Sequence, residues 1–199
     1  MIFGNPPGGT PMRAALVALL MLVAAPPAAA RDVDGVQVPD QLSVTGEKKP
    51  LTLNGAGFRK KYMLKVYVGA LYTVQPMTRA EQILDATTPR VMRLHFVREV
   101  SAAKQADGWK DGLADNHSNF EMKAFQTRLT QFNAMMLDVK ENDVLRIDFL
   151  PKGVTQVTIN DKPRGSVEGG DFQRALLKIW LGAKPADSDL KKALLAGKK

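Results

Sequence analysis

Arg59 is the side chain whose setting best suits recognition chemistry. It follows Asn54-Gly55-Ala56-Gly57 and precedes an apolar stretch that carries Lys65 and Tyr67. A guanidinium at such a place can donate a forked pair of hydrogen bonds to a carboxylate or a phenolate. The plainer reading is a rim arginine, with Lys60 and Lys61 as further solvated charge. On charge alone the plainer reading comes first, because charged side chains are mostly exposed. The glycines lack the full G-x-G-x-x-G spacing and are followed by strand-forming residues. That argues for a tight turn and against a nucleotide loop. His95 and His117 are the only two histidines, and neither has a neighbouring histidine or acidic cluster at metal-ligand spacing, so no metal site is expected. A G-x-S-x-G elbow is missing too, so nothing in the sequence speaks for acyl hydrolysis. No cofactor motif emerges.

The elements that must position Arg59 follow from periodicity. Leu51 to Gly55 reads as a strand ending at the glycines, and Tyr62 to Val74 as a long strand rich in Val, Tyr and Leu. Strict alternation puts Leu64, Val66, Val68, Ala70 and Tyr72 on one face. Met63, Lys65, Tyr67, Gly69 and Leu71 fall on the other, which is therefore either solvated or the lining of a pocket. Arg90 to Val97 alternates again. Ser101 to Asn116 reads as a helix with Ser101 as its N-cap. Asn119 to Asp138 carries the stripe Phe125, Leu129, Phe132 and Met136 at helical spacing. Asp143 to Leu150 and Val154 to Asn160 form a hairpin around Pro151-Lys152-Gly153, with Leu145, Ile147 and Phe149 inward and Arg146 and Asp148 outward. Asp171 to Leu181 is a helix stopped by Gly182, and Asp187 to Ala196 adds a weaker one. Arg31 to Lys49 is a polar lead-in with one short strand. Hairpins with helices grouped between and after them predict an α+β fold, an antiparallel sheet covered by a layer of helices. A cleft between such layers commonly takes a small apolar ligand.

The totals fit this picture. A chain of 199 residues with 45% hydrophobic content supports one globular domain. The absence of cysteine excludes a disulfide scaffold, a cysteine zinc site and a thiol nucleophile. The net charge is +8 but is spread along the chain, so nucleic-acid binding is not expected. At the N-terminus, Arg13 precedes an apolar run from Ala14 to Ala25 and then Pro26-Pro27-Ala28-Ala29-Ala30. A positive start, a short apolar core and a small-residue end make residues 1–30 a secretory signal peptide. The run is shorter than the ~20 residues of a membrane span. Residues 1–11 are uncharged and rich in Gly and Pro, which makes Met12 a second candidate start. Cleavage after Ala30 leaves residues 31–199 as the mature domain with net charge +7, periplasmic or otherwise exported and without a stable membrane span.

The run GAGFRKKYMLKVYVGALY, Gly55 to Tyr72, resembles the opening signature of the chalcone-isomerase fold. Phe96 to Ser101 and Gly108 to Leu113 fit its middle, and Gly169-Gly170-Asp171-Phe172 with Ala175 to Gly182 looks like its closing helix. The resemblance spans about residues 36 to 184. It implies an open-faced sandwich. In true chalcone isomerases an arginine holds the substrate phenolate for intramolecular attack on an enone, without a cofactor. Arg59 matches that arginine and is the one catalytic candidate. Tyr67 falls at or beside the family's strand threonine and keeps a hydroxyl. The family's tyrosine would lie between Ser101 and Asn116, where no tyrosine occurs, so isomerase activity is not the leading expectation. A non-catalytic branch of the family keeps the arginine and includes fatty-acid binders. The resemblance therefore implies a binder of a small amphipathic ligand, a fatty acid or a phenolic compound, with Arg59, Lys65, Tyr67 and Trp109 as ligand-binding candidates. An intramolecular lyase is the alternative, and a structural or partner-binding domain without ligand is a third.

Overall fold

The computed structural model describes residues 30–197 together with Met1, Ile2 and Gly4. The leader expected over residues 1–30 therefore lies, Ala30 and those three residues apart, outside the described residues. The core is a seven-stranded antiparallel sheet in which sequence neighbours pair throughout, from β3 to β9. Its strands are β3 (Gln41–Leu42), β4 (Leu51–Lys61), β5 (Leu64–Thr73), β6 (Arg90–Phe96), β7 (Val144–Phe149), β8 (Val154–Ile159) and β9 (Lys162–Glu168). A separate hairpin, β1 (Ala30–Val33) with β2 (Val36–Pro39), precedes it. The helices are α1 (Ala80–Leu84), α2 (Ala102–Ala114), α3 (Asn119–Asn133), α4 (Gly170–Leu181) and α5 (Ser188–Leu194). This is the α+β open-faced sandwich expected from the sequence.

One face of the sheet is covered by the helices. Leu71, Met92, Leu94, Leu145, Ile147 and Phe149 meet Phe125, Phe132, Phe172, Leu176 and Trp180 in a single buried cluster. The stripe read on α3 is buried as expected, and Met136 continues it just past the helix end. Ser101 caps α2 by accepting the Lys104 amide N–H, and Gly182 ends α4.

The far face is not open along its whole length. Val36, Val38 and Val44 cover Leu51, Leu53, Val68, Ala70, Tyr72 and Val91. Asp148, expected outward, is buried there and takes two hydrogen bonds from Arg146, at 2.6 and 2.7 Å. Burial raises the Asp148 carboxyl above its ordinary value while Arg146 opposes the shift. The lead-in thus forms three short strands instead of one. Two further elements had no signal in the sequence reading, the short α1 and the edge strand β9. The missing N–H of Pro163 is tolerated in β9 because one side of an edge strand is unpaired.

The glycine motif is not a turn. β4 runs unbroken through Gly55 and Gly57, and neither has a positive φ. A Cβ on Gly55 would lie 2.0 Å from the Ala193 carbonyl oxygen, and one on Gly57 would lie 2.7 Å from the Ala193 Cβ. The glycines form a shallow channel into which α5 settles, and Leu190 closes over Gly69 on the neighbouring strand. Asn54 is the extra residue of a bulge between Leu53 and Gly55. Its amide donates to the Met77 and Leu194 carbonyls at 2.8 and 2.7 Å and accepts from the Met77 N–H at 2.7 Å, which fastens α5 to the sheet.

The actual turn comes five residues after Gly57. Tyr62 and Met63 have φ of +49° and +66° and join β4 to β5 as a two-residue loop. Two consecutive positive φ values are the signature of a type I′ hairpin turn. The long strand expected from Tyr62 accordingly begins at Leu64.

Candidate functional site

At the end of the sheet that carries this turn, the helices stand away from the strands and leave a cleft of about 480 Å³. That falls within the roughly 300–1,000 Å³ of small-molecule sites. Several parts of the fold build it, α4 with Ile179 among them. The β4–β5 hairpin supplies Arg59, Val66 and Tyr67, β6 supplies Phe96, and α2 supplies Gln105 and Trp109.

The hairpin places Arg59 directly. It is paired in register with Tyr67, and its guanidinium carbon stands 5.8 Å from the Tyr67 ring centroid. The guanidinium has neither an ion pair nor a hydrogen-bond acceptor among the described residues, and it is half-buried. Five donors on a fixed cation are thus available beside the cleft. Tyr67 is only 6% exposed. Its hydroxyl accepts the Trp180 Nε1–H at 2.9 Å, so its own proton is what it can offer to a third group. Burial pushes the phenol up from its ordinary value, with Arg59 pulling the other way. The hydroxyl is a neutral donor at pH 7.

Trp109 forms the inner wall. Its ring packs edge-on against Phe132 at 5.7 Å and Trp180 at 5.8 Å. Its indole N–H is buried with no hydrogen-bond partner among the described residues. Gln105 lies one helical turn earlier, on the same face of α2. Its amide donates to the Leu137 carbonyl at 2.7 Å, while its Oε1 is buried with no partner among the described residues. Unsatisfied buried polar atoms cost free energy. Both atoms belong to cleft-lining residues but are themselves buried, so they are a local cost to the fold. The mouth carries Arg59, Lys61, Arg98 and Lys104 against Glu99 and Asp107, an excess of positive charge that favours an acidic guest.

Of the four candidates read from the sequence, the structure brings Arg59, Tyr67 and Trp109 together, and it removes Lys65. The register between β4 and β5 slips between Arg59 and Lys60, which makes Val66 the extra residue of a bulge. Val66 and Tyr67 both face the cleft, and the alternation is inverted before them. Lys65 consequently points to the far face, where it pairs with Asp34 and its Nζ lies 4.5 Å from the Phe58 ring centroid. Gln105 was missed. Its signal was the four-residue spacing to Trp109 on a helix, usable only once Trp109 is known to face a cavity. His95 and His117 stay outside the cleft, the latter bonding the Leu113 carbonyl at 2.9 Å. Among the described residues no group of three or more His, Asp or Glu could hold a metal ion.

Fold and cleft together define an open-faced sandwich with a ligand-sized cavity at one end of its sheet. The comparisons assign it: a family model described as chalcone isomerase-like matches residues 30–196, and the chain belongs to that family. A fatty-acid binding protein of Arabidopsis thaliana is similar in structure, with a TM-score of 0.65 and 17% sequence identity. The match covers 84% of this chain and 95% of the plant protein, a likeness of fold. No curated protein matches the sequence.

Proposed function

We propose that this protein binds a small amphipathic acid, with the acidic head at Arg59 and Tyr67 and the apolar part along Phe96, Trp109 and Ile179. The observation that carries the reading is the Arg59 guanidinium, unpaired among the described residues and standing beside a buried hydroxyl at the edge of an apolar cleft. Each methylene buried in such a cleft contributes about 0.8 kcal/mol, so a medium-length acyl chain binds well without any chemistry. The fatty-acid binding activity named for the plant relative of this fold supports the same class of guest. A phenolic acid fits the same donors. The leader read over residues 1–30 adds that the protein works outside the cytoplasm.

The test is mass spectrometry of the purified, undenatured protein. The expected result is a small acidic compound that stays bound in the native spectrum and is released by denaturation. A ligand-free spectrum, together with no calorimetric response to fatty acids or phenolic acids, would overturn the reading and leave a structural domain.

A further inference from the structure

The β4–β5 turn combines two costly features. Tyr62, Met63 and Leu64 are 87%, 92% and 54% exposed, three consecutive apolar side chains at the tip of a projecting hairpin. Tyr62 and Met63 also hold positive φ, where asparagine and glycine are the favoured residues and bulky side chains are uncommon. Neither feature serves the core, because none of the three side chains belongs to a buried cluster. Just behind the tip stands a collar of cations. Lys60 and Lys61 are exposed and have no ion pair among the described residues, and Lys65 follows on the next strand. Arg98 and Lys104, also without ion pairs among the described residues, line the same cleft. The nearby acids are fewer: Glu99 and Asp107 stand at the cleft mouth, Asp34 is taken by Lys65, and Asp187 accepts the Lys60 backbone N–H at 2.8 Å.

We propose that this hairpin tip docks on an anionic lipid bilayer, with Tyr62, Met63 and Leu64 entering the headgroup region and the lysine collar resting on the acidic lipid surface. Apolar side chains inserted ahead of a basic ring match the two attractions such a surface offers, burial of apolar area and Coulomb attraction. An acidic protein surface would satisfy the collar and leave the three apolar side chains in water. The tip also forms one rim of the cleft through Tyr62 and Leu64. Docking therefore sets the cleft mouth at the membrane, and a guest with an apolar tail can enter without crossing bulk water. That last clause rests on the ligand reading above, whereas docking itself does not.

The chain has no cysteine, so Met63→Cys carrying a polarity-sensitive dye reports on the tip alone. Gln75→Cys, exposed beyond the other end of β5, is the control. With vesicles containing phosphatidylserine the tip dye shifts to the blue and the control does not. The shift fades with neutral phosphatidylcholine vesicles or at high salt. In co-sedimentation with the acidic vesicles, Lys60→Ser binds about fivefold more weakly. Met63→Gly, which suits the positive φ and so spares the fold, binds about tenfold more weakly. Equal vesicle binding by wild type and both variants, or a tip dye that responds no more than the control, overturns the proposal. Neither Lys60 nor Met63 lines the cleft. Ligand titrations of the same variants in vesicle-free buffer therefore test the cleft on their own, and either result can fail without the other.

Discussion

Replacing Arg59 tests the ligand reading most directly. Among the described residues its guanidinium bonds no protein acceptor and is only half-buried, and its neighbour is the Tyr67 ring at 5.8 Å. Removing it strands no buried partner. Arg59→Ala should therefore change folding stability by no more than about 0.5 kcal/mol, which moves the melting temperature by about 2 °C or less. Its effect on an acidic ligand should be larger. A hydrogen bond to a charged group contributes about 1.5–3 kcal/mol. Partial exposure of Arg59 screens the charge and points to the lower end, which is about a tenfold loss of affinity at ~1.4 kcal/mol per decade. Arg59→Lys should recover part of this, since an ammonium supplies the charge without the planar fork. The assay is isothermal titration of wild type and both variants with a fatty acid and with the alcohol of the same chain length. The alcohol keeps the tail and drops the charge, so its affinity should barely move across the three proteins. If the acid binds all three proteins equally, Arg59 is a rim charge and the argument for an acidic head at this position fails.

Other expectations follow from particular contacts. Gly55→Ala places a methyl 2.0 Å from the Ala193 carbonyl oxygen, a backbone atom that cannot rotate away. It should cost about 3 kcal/mol or more, seen as a lower denaturant midpoint and as earlier proteolysis of α5. A stability loss under about 0.5 kcal/mol would show that α5 does not sit in the glycine channel. Arg128 donates to both carboxylate oxygens of Asp171 and holds its pKa below the ordinary value. A depressed acid contributes stability above its unfolded pKa of about 3.9 and loses it as pH falls through the folded value. Arg128→Met should therefore destabilise modestly at pH 7, because Asp171 is well exposed. The deficit should shrink below pH 4, as acid unfolding curves will show. On 2′-hydroxychalcone, wild type should turn over no faster than Arg59→Ala; robust turnover lost in the variant would establish the lyase instead. N-terminal sequencing of protein recovered outside the cytoplasm should begin at or near Arg31, and an intact leader on cytosolic protein would refute export.

The sequence by itself determined whatever depends on short-range period and local end signals. The α3 stripe at Phe125, Leu129 and Phe132, the Ser101 cap, the Gly182 stop and the β7–β8 hairpin are each set within one or two turns or strands, and they were legible for that reason. Arg59 stood out by its residue type and place, and the family resemblance added Lys65, Tyr67 and Trp109 as candidates. Tertiary structure alone decided which way those side chains face. The bulge at Val66 arises from register with β4, and it sends Lys65 to Asp34 while Tyr67 turns to the cleft. A two-residue period read along β5 has no means of seeing a partner strand. The glycines of β4 read as a turn because glycine is locally ambiguous: it permits a positive φ, and it equally permits a helix to come within contact of a strand. Only the approach of α5, more than 130 residues away in the chain, selects the second use. The buried atoms of Gln105 and Trp109 that lack a partner among the described residues exist for the same kind of reason, since they are fixed by the elements that close around α2.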